Sequence, residues 1–128
     1  MSHRTIFSLF TFALATAAAQ QPCESLLRLG LPNVTITSAS PVAAGPFQFP
    51  GGRNAVTVPA FCRVVGVVKP EVNFEAWLPA AWNRKFLMVG NGGLAGSISY
   101  NAMVGPLGRG YMCNEANTAV RIQRREIV

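Results

Sequence analysis

Few side chains in this sequence can do chemistry, and the gaps say as much as the residues present. There is no aspartate, the five acids are all glutamates, and the single histidine is His3. A serine nucleophile needs a histidine base and a carboxylate that fixes it. Ser97 and Ser99 have neither within reach of the sequence, and no Gly-x-Ser-x-Gly elbow surrounds them. Capping is the better reading of both, with Ser97 as the N-cap of a short helix. A metal would find only Glu and Cys once His3 is set aside, so no metal site is expected. Backbone chemistry remains. The run Phe86-Leu87-Met88-Val89 empties into Gly90-Asn91-Gly92-Gly93-Leu94-Ala95-Gly96. Glycine puts no side chain in the way of its own N–H, so the amides of Gly92 and Gly93 can serve as oxyanion donors in acyl transfer. A plain tight turn at Asn91-Gly92-Gly93 is the competing reading of the same residues.

The elements that must position this loop follow from periodicity and punctuation. Pro22 to Gly30 has proline and Glu24 at its start and glycine at its end, the asymmetry of a helix of about two turns. Asn33 to Thr37 alternates β-branched residues and predicts a strand; Ser38 to Arg53, with three prolines and three glycines, predicts a surface loop. Phe61 to Lys69 is β-branched and bounded by Pro59 and Pro70, which predicts a strand covered on both faces. Val72 to Pro79 alternates, with Val72, Phe74, Ala76 and Leu78 on one side and Asn73, Glu75 and Trp77 on the other, as a half-covered hairpin partner would. Lys85 to Val89 is the third strand. A helix over Ser97 to Val104 should kink or end at Gly105-Pro106. Met112 to Val128 loses the apolar runs and predicts a weakly helical or frayed tail.

Composition bounds the setting. Residues 1–19 join a basic start, an apolar stretch and small residues through Ala17 and Ala19, the layout of a secretory signal cleaved after Ala19. That stretch is shorter than the roughly 20 apolar residues of a bilayer span. Its removal takes His3 with it and predicts a secreted product that leaves no anchor in the membrane. Net charge is +6, from 11 Lys and Arg against 5 acids, but only Arg121, Arg124 and Arg125 cluster. No basic stripe interleaved with aromatics accompanies them, so no nucleic-acid partner is expected.

Three cysteines leave one over. Cys23 and Cys62 sit in the well-patterned part of the chain, and we expect them to pair; Cys113 is then a free or intermolecular thiol. The competing reading makes Cys23 a small buried hydrophobe. Asn33-Val34-Thr35 is a glycosylation sequon, usable in a eukaryotic secretory pathway. Trp77 and Trp82 could stack on sugar or aromatic groups, although strand-edge and core packing suits their flanking prolines better.

Taken in order, Pro59-Ala60-Phe61-Cys62-Arg63-Val64, Phe74-Glu75-Ala76-Trp77-Leu78-Pro79 with Trp82-Asn83, Phe86 to Gly96, and Arg109-Gly110-Tyr111 resemble the secreted tannases and feruloyl esterases, serine carboxylic ester hydrolases. The likeness covers about residues 22 to 111. It implies an α/β fold, here an incomplete α/β-hydrolase-type mixed sheet holding the N-terminal strands and first helix only. It implies that this segment supplies one oxyanion-hole donor, the N–H of Gly92 or Gly93, and a phenolic ester or plant cell-wall substrate for the full-length enzyme. In that family another core strand follows the Gly-Tyr pair and ends near an Asp-x-Gly-His block, with a Cys-Ser-x-Gly-Gly nucleophile well beyond. None of these motifs is present, so the reading is a signal over 1–19, the N-terminal portion of a hydrolase domain over 20–111, and a divergent tail over 112–128. No catalytic side chain and no cofactor is assigned to this segment; the lid calcium implied by the resemblance lies outside it. The alternative class is a small secreted non-catalytic binding protein.

Overall fold

The computed structural model describes residues 21–90 and 96–117. The expected signal over 1–19, the segment 91–95 that holds Gly92 and Gly93, and residues 118–128 lie outside the described residues.

Seven strands and two short helical segments make up the described chain. A 3₁₀ helix, Cys23–Arg28, is followed by β1 (Val34–Val42), β2 (Gly45–Phe47), β3 (Val56–Val58), β4 (Phe61–Val68), β5 (Val72–Pro79), β6 (Phe86–Met88), helix α1 (Tyr100–Gly108) and β7 (Met112–Ala116). Five strands form one mixed sheet in the order β1-β4-β5-β7-β6, and β2 and β3 form a separate ribbon. The pairs β1/β4, β4/β5 and β5/β7 are antiparallel, and β6/β7 is parallel.

The β4–β5 hairpin is the scaffold. Its register runs without a break from Phe61↔Pro79 to Val68↔Val72. Both faces are covered. One face carries Phe61, Trp77 and Cys113, which are buried with Val58 from β3 and Met103 and Leu107 from α1. The other carries Val64 and Ala76, packed with Ala39 and with Cys23 and Leu26 of the 3₁₀ helix. A disulfide joins Cys23 to Cys62, the pair expected from the sequence, and ties the 3₁₀ helix to β4.

The expected helix of about two turns is present over Cys23–Arg28, in 3₁₀ geometry. Several expectations need correction. The predicted loop from Ser38 to Arg53 is largely strand, because Ser38 to Val42 continue the pairing with β4 past a register shift between Ile36 and Ser38, and Gly45–Phe47 pair with β3. Pro41 is tolerated because β1 lies at the edge of the sheet. β5 is not half-covered: its Glu75 and Trp77 face is the deeper one. Helix α1 starts at Tyr100, not Ser97, and runs through Pro106, whose ring is buried with Met103 and Leu107 on one face. Burial of that face outweighs the lost hydrogen bond so near the helix end.

The largest correction concerns residues after Tyr111. Met112–Ala116 form no frayed tail; they are β7, inserted between β5 and β6 and paired on both edges. Its polar letters, Asn114 and Glu115, hid the strand. Gly110 sets it up, with φ +78 and its N–H donated to the Leu107 carbonyl at 2.9 Å, a left-handed helix exit that glycine takes without strain. A Cβ there would lie 2.9 Å from the Ala81 carbonyl oxygen, so the Gly110-Tyr111 pair has a steric basis.

Candidate functional site

The parallel pair frames the site. Residues 89 and 90 leave β6 beside β7, with the Val89 N–H donating to the Asn114 carbonyl at 2.9 Å. The chain re-enters the described structure at Gly96, φ +58, and reaches α1 through Ser97, Ile98 and Ser99. Open sheets take ligands in the crevice beyond the carboxyl ends of parallel strands, and this is where those segments gather. Gly92 and Gly93 lie outside the described residues, so the structure leaves their amides unplaced.

A buried polar network anchors the helix start to the sheet. Glu75 is 2 % exposed and its carboxylate accepts four donors. The Arg63 guanidinium grips it through two nitrogens, with Nε at 2.9 Å from Oε2. Trp77 Nε1 donates to Oε2 at 3.0 Å and the Tyr100 hydroxyl to Oε1 at 2.9 Å. A buried carboxylate is tolerable when it is paired and hydrogen-bonded in this way. Burial, then the bond to Glu75, pushes the Tyr100 phenol up to about 12, so it stays a donor. The bond to Glu75 likewise raises the Arg63 guanidinium. Since Tyr100 opens α1, the network fixes the point at which the loop from β6 ends. Sequence reasoning missed it; the alternation placing Glu75 beside Trp77 was the available signal.

Glu115 stands in register opposite Glu75 and is 0 % exposed, yet among the described residues neither of its carboxylate oxygens has a hydrogen-bond partner. Cys113 is a free, buried thiol, its Sγ 3.3 Å from the Tyr111 carbonyl oxygen. Burial pushes it up to about 11, against a small opposing effect of Arg109. It is not placed for an intermolecular disulfide.

The other sequence candidates scatter. Ser97 caps nothing; Ser99 takes the N-cap position without a side-chain cap bond. Trp77 is core, whereas Trp82 is 53 % exposed and donates Nε1 to the Lys85 carbonyl, so the two do not form a stacking pair. Asn33 is exposed, with φ +61, just ahead of β1. Among the described residues no three His, Cys, Asp or Glu side chains gather as a metal set would.

Comparison with known proteins adds the lineage. Residues 54–120 match the profile of the family described as tannase and feruloyl esterase, a span that includes β7. An uncharacterized esterase of Xanthomonas campestris pv. campestris is 48 % identical over 103 residues, covering 77 % of this chain and 18 % of that protein. Feruloyl esterase C of Talaromyces stipitatus is 34 % identical over 107 residues, 74 % of this chain and 20 % of its own length. Among solved structures, an esterase and feruloyl esterase B, both from Aspergillus oryzae, superpose with TM-scores of 0.66 and 0.64 at 31 % identity, each over 74 % of this chain and 21 % of theirs. The chain thus spans about a fifth of the length of the relatives it matches. Its mixed sheet is a partial α/β fold of the kind those esterases hold.

Proposed function

This chain belongs to the tannase and feruloyl esterase family, and from that premise we propose that it is the N-terminal portion of a secreted carboxylic ester hydrolase acting on phenolic esters of plant material. The observation that carries the reading is the parallel β6–β7 pair with a glycine-rich segment leaving β6 at its carboxyl end. In the proposed reaction a serine hydroxyl adds to the ester carbonyl as a histidine takes its proton, and the carbonyl electrons move onto oxygen. This segment supplies one donor to that oxyanion, the amide of Gly92 or Gly93. Loss of one such donor costs on the order of 3 kcal/mol of transition-state stabilisation.

These 128 residues contain no aspartate and a single histidine inside the expected signal. The serine, histidine and acid are therefore assigned to sequence other than this segment, which alone is inactive. No cofactor is assigned to it. The Cys23–Cys62 disulfide supports an oxidising, extracellular setting, and the exposed Asn33 is the proposed glycan acceptor in a eukaryotic host.

The alternative, a small secreted binding protein without catalysis, gains from one finding. Helix α1 packs on β7 and closes a buried core, so the described residues are not the open half-sheet that would argue against a folded module. The exposed edge of β6, with Phe86 54 % and Met88 63 % exposed, argues the other way. The test is an assay of the purified chain on a chromogenic phenolic ester, with no turnover expected. Turnover abolished by a serine-directed phosphonate would overturn the assignment of the triad elsewhere.

A further inference from the structure

The two edges of the mixed sheet are unlike. β1 carries Pro41 and a register shift between Ile36 and Ser38, devices that spoil an edge for further pairing. β6 carries neither: Phe86, Leu87 and Met88 pair with Met112, Cys113 and Asn114 without a break, and all three are exposed and apolar. In a parallel ladder alternate residues turn both main-chain groups toward the neighbouring strand. The Lys85 carbonyl accepts from the Met112 N–H at 3.0 Å and the Val89 N–H donates to the Asn114 carbonyl at 2.9 Å, so Leu87, between them, is the residue that faces β7. Phe86 and Met88 therefore aim their N–H and C=O groups away from the sheet. Among the described residues no strand lies beyond them.

We propose that β6 pairs antiparallel with β6 of a second copy of this chain, about a two-fold axis through Leu87. The register is self-complementary. Phe86 of each copy stands opposite Met88 of the other, and with one N–H and one C=O from each of these two residues per chain, the copies close four hydrogen bonds. Leu87 meets its counterpart as a non-bonded pair, its own groups being already given to β7. The side chains match as well. Phe86 and Met88 lie on the face of Met112 and Asn114, and Leu87 on that of Cys113, so every cross-strand pair is apolar, and sulfur against a phenyl ring adds to the contact. Charge permits the approach. The axis sends Lys85 of the two copies to opposite ends of the ladder, four strand residues or about 13 Å apart, beyond the Debye length of about 8 Å at physiological salt. Three strand residues, with Trp82 in the cleft beside Met112, fall short of the roughly 800 Å² per partner of a standard interface. The association is accordingly weak and concentration-dependent. It follows from the sheet alone and does not rest on the esterase reading.

The test is sedimentation equilibrium of the 128-residue chain from about 10 μM to about 1 mM, the range a contact of this size reaches. The weight-average mass should climb from that of one chain toward that of two. Met88→Pro removes an N–H that β7 does not use and should weaken association at least about tenfold while sparing the β6–β7 ladder. Cysteine cross-linking reads the register. Leu87→Cys brings two thiols to a pair with Cα atoms about 4.5 Å apart, inside the span of a disulfide, so mild oxidation should join the copies. Phe86→Cys sets them about 8 Å apart and should cross-link roughly tenfold more slowly. The native Cys113 is buried and stays out of the reaction. A monomeric mass at the highest concentration would overturn the proposal and leave this edge to a strand of another polypeptide. Association untouched by Met88→Pro, or equal cross-linking of the two cysteine variants, would overturn it too. If Met88→Pro unfolds, the cysteine pair still decides.

Discussion

Glu75 on β5 and Glu115 on β7 face one another across an antiparallel ladder, both buried, and among the described residues only the Glu75 carboxylate has hydrogen-bond partners. Like acids directly opposite destabilise a sheet, and a buried polar group without a partner carries its full desolvation cost. Replacing Glu115 by methionine, similar in length and apolar, should raise stability by about 1–3 kcal/mol. The same change at Glu75 strands four donors and should cost about 3–5 kcal/mol. Urea midpoints of the two variants should move in opposite directions; a parallel loss would mean that Glu115 has a partner after all.

Alkali should weaken the fold. Tyr100 is raised to about 12 and Cys113 to about 11, both mainly by burial, from ordinary values of 10.0 and 9.0. A raised acid holds its proton more tightly folded than unfolded, so the stabilisation is whole below the unfolded value and is lost as pH climbs through the folded one. Unfolding midpoints should therefore fall from about pH 9 to about pH 12. Tyr100→Phe and Cys113→Ala should flatten the slope, each over its own part of that window. Midpoints that hold level there would contradict both shifts.

Cys113 should also be chemically quiet. Its thiol is wholly buried and held in the protonated form, whereas thiolate is the reactive species. At pH 8 Ellman's reagent should leave the native chain unmodified and label one thiol in urea. Rapid labelling of the folded chain would show β7 opening freely.

Gly66 is closed to any side chain. A Cβ on it would meet Phe74 Cζ at 2.6 Å and the Thr35 carbonyl oxygen at 2.8 Å. Gly66→Ala should cost about 1–3 kcal/mol by overpacking. Phe74→Leu in the same chain should restore only part of that loss, because the second clash is with backbone of β1. Full recovery in denaturant would show that β1 yields.

Reduction of Cys23–Cys62 should lower stability by about 3–4 kcal/mol, the loop-closure value for a separation of 39 residues. Thermal melts with and without a reductant should differ accordingly.

The hairpin β4–β5 was legible because β-branched residues run between prolines and pairing there is local. β7 was not, since Asn114 and Glu115 read as solvent-facing until β5 and β6 are seen on either side of them. The start of α1 moved from Ser97 to Tyr100 because the Glu75 carboxylate holds the Tyr100 hydroxyl, a long-range bond that no local pattern encodes. β1 outran its prediction for a similar reason: Ser40 and Pro41 gain their pairing from Arg63 and Cys62, more than twenty positions away. The glycine-rich segment was the plainest feature of the sequence, and the stacked rings of Phe49, Tyr100 and Trp77 the least, because they come from three separate stretches.

The single covalent cross-link has a topological corollary for anyone handling this protein. A protease that nicks the chain once anywhere between residues 24 and 61 cuts inside a closed ring, so both pieces stay in one molecule of unchanged mass apart from a water. Such clipping is silent on a non-reducing gel, and a thiol in the loading buffer reveals it as two bands.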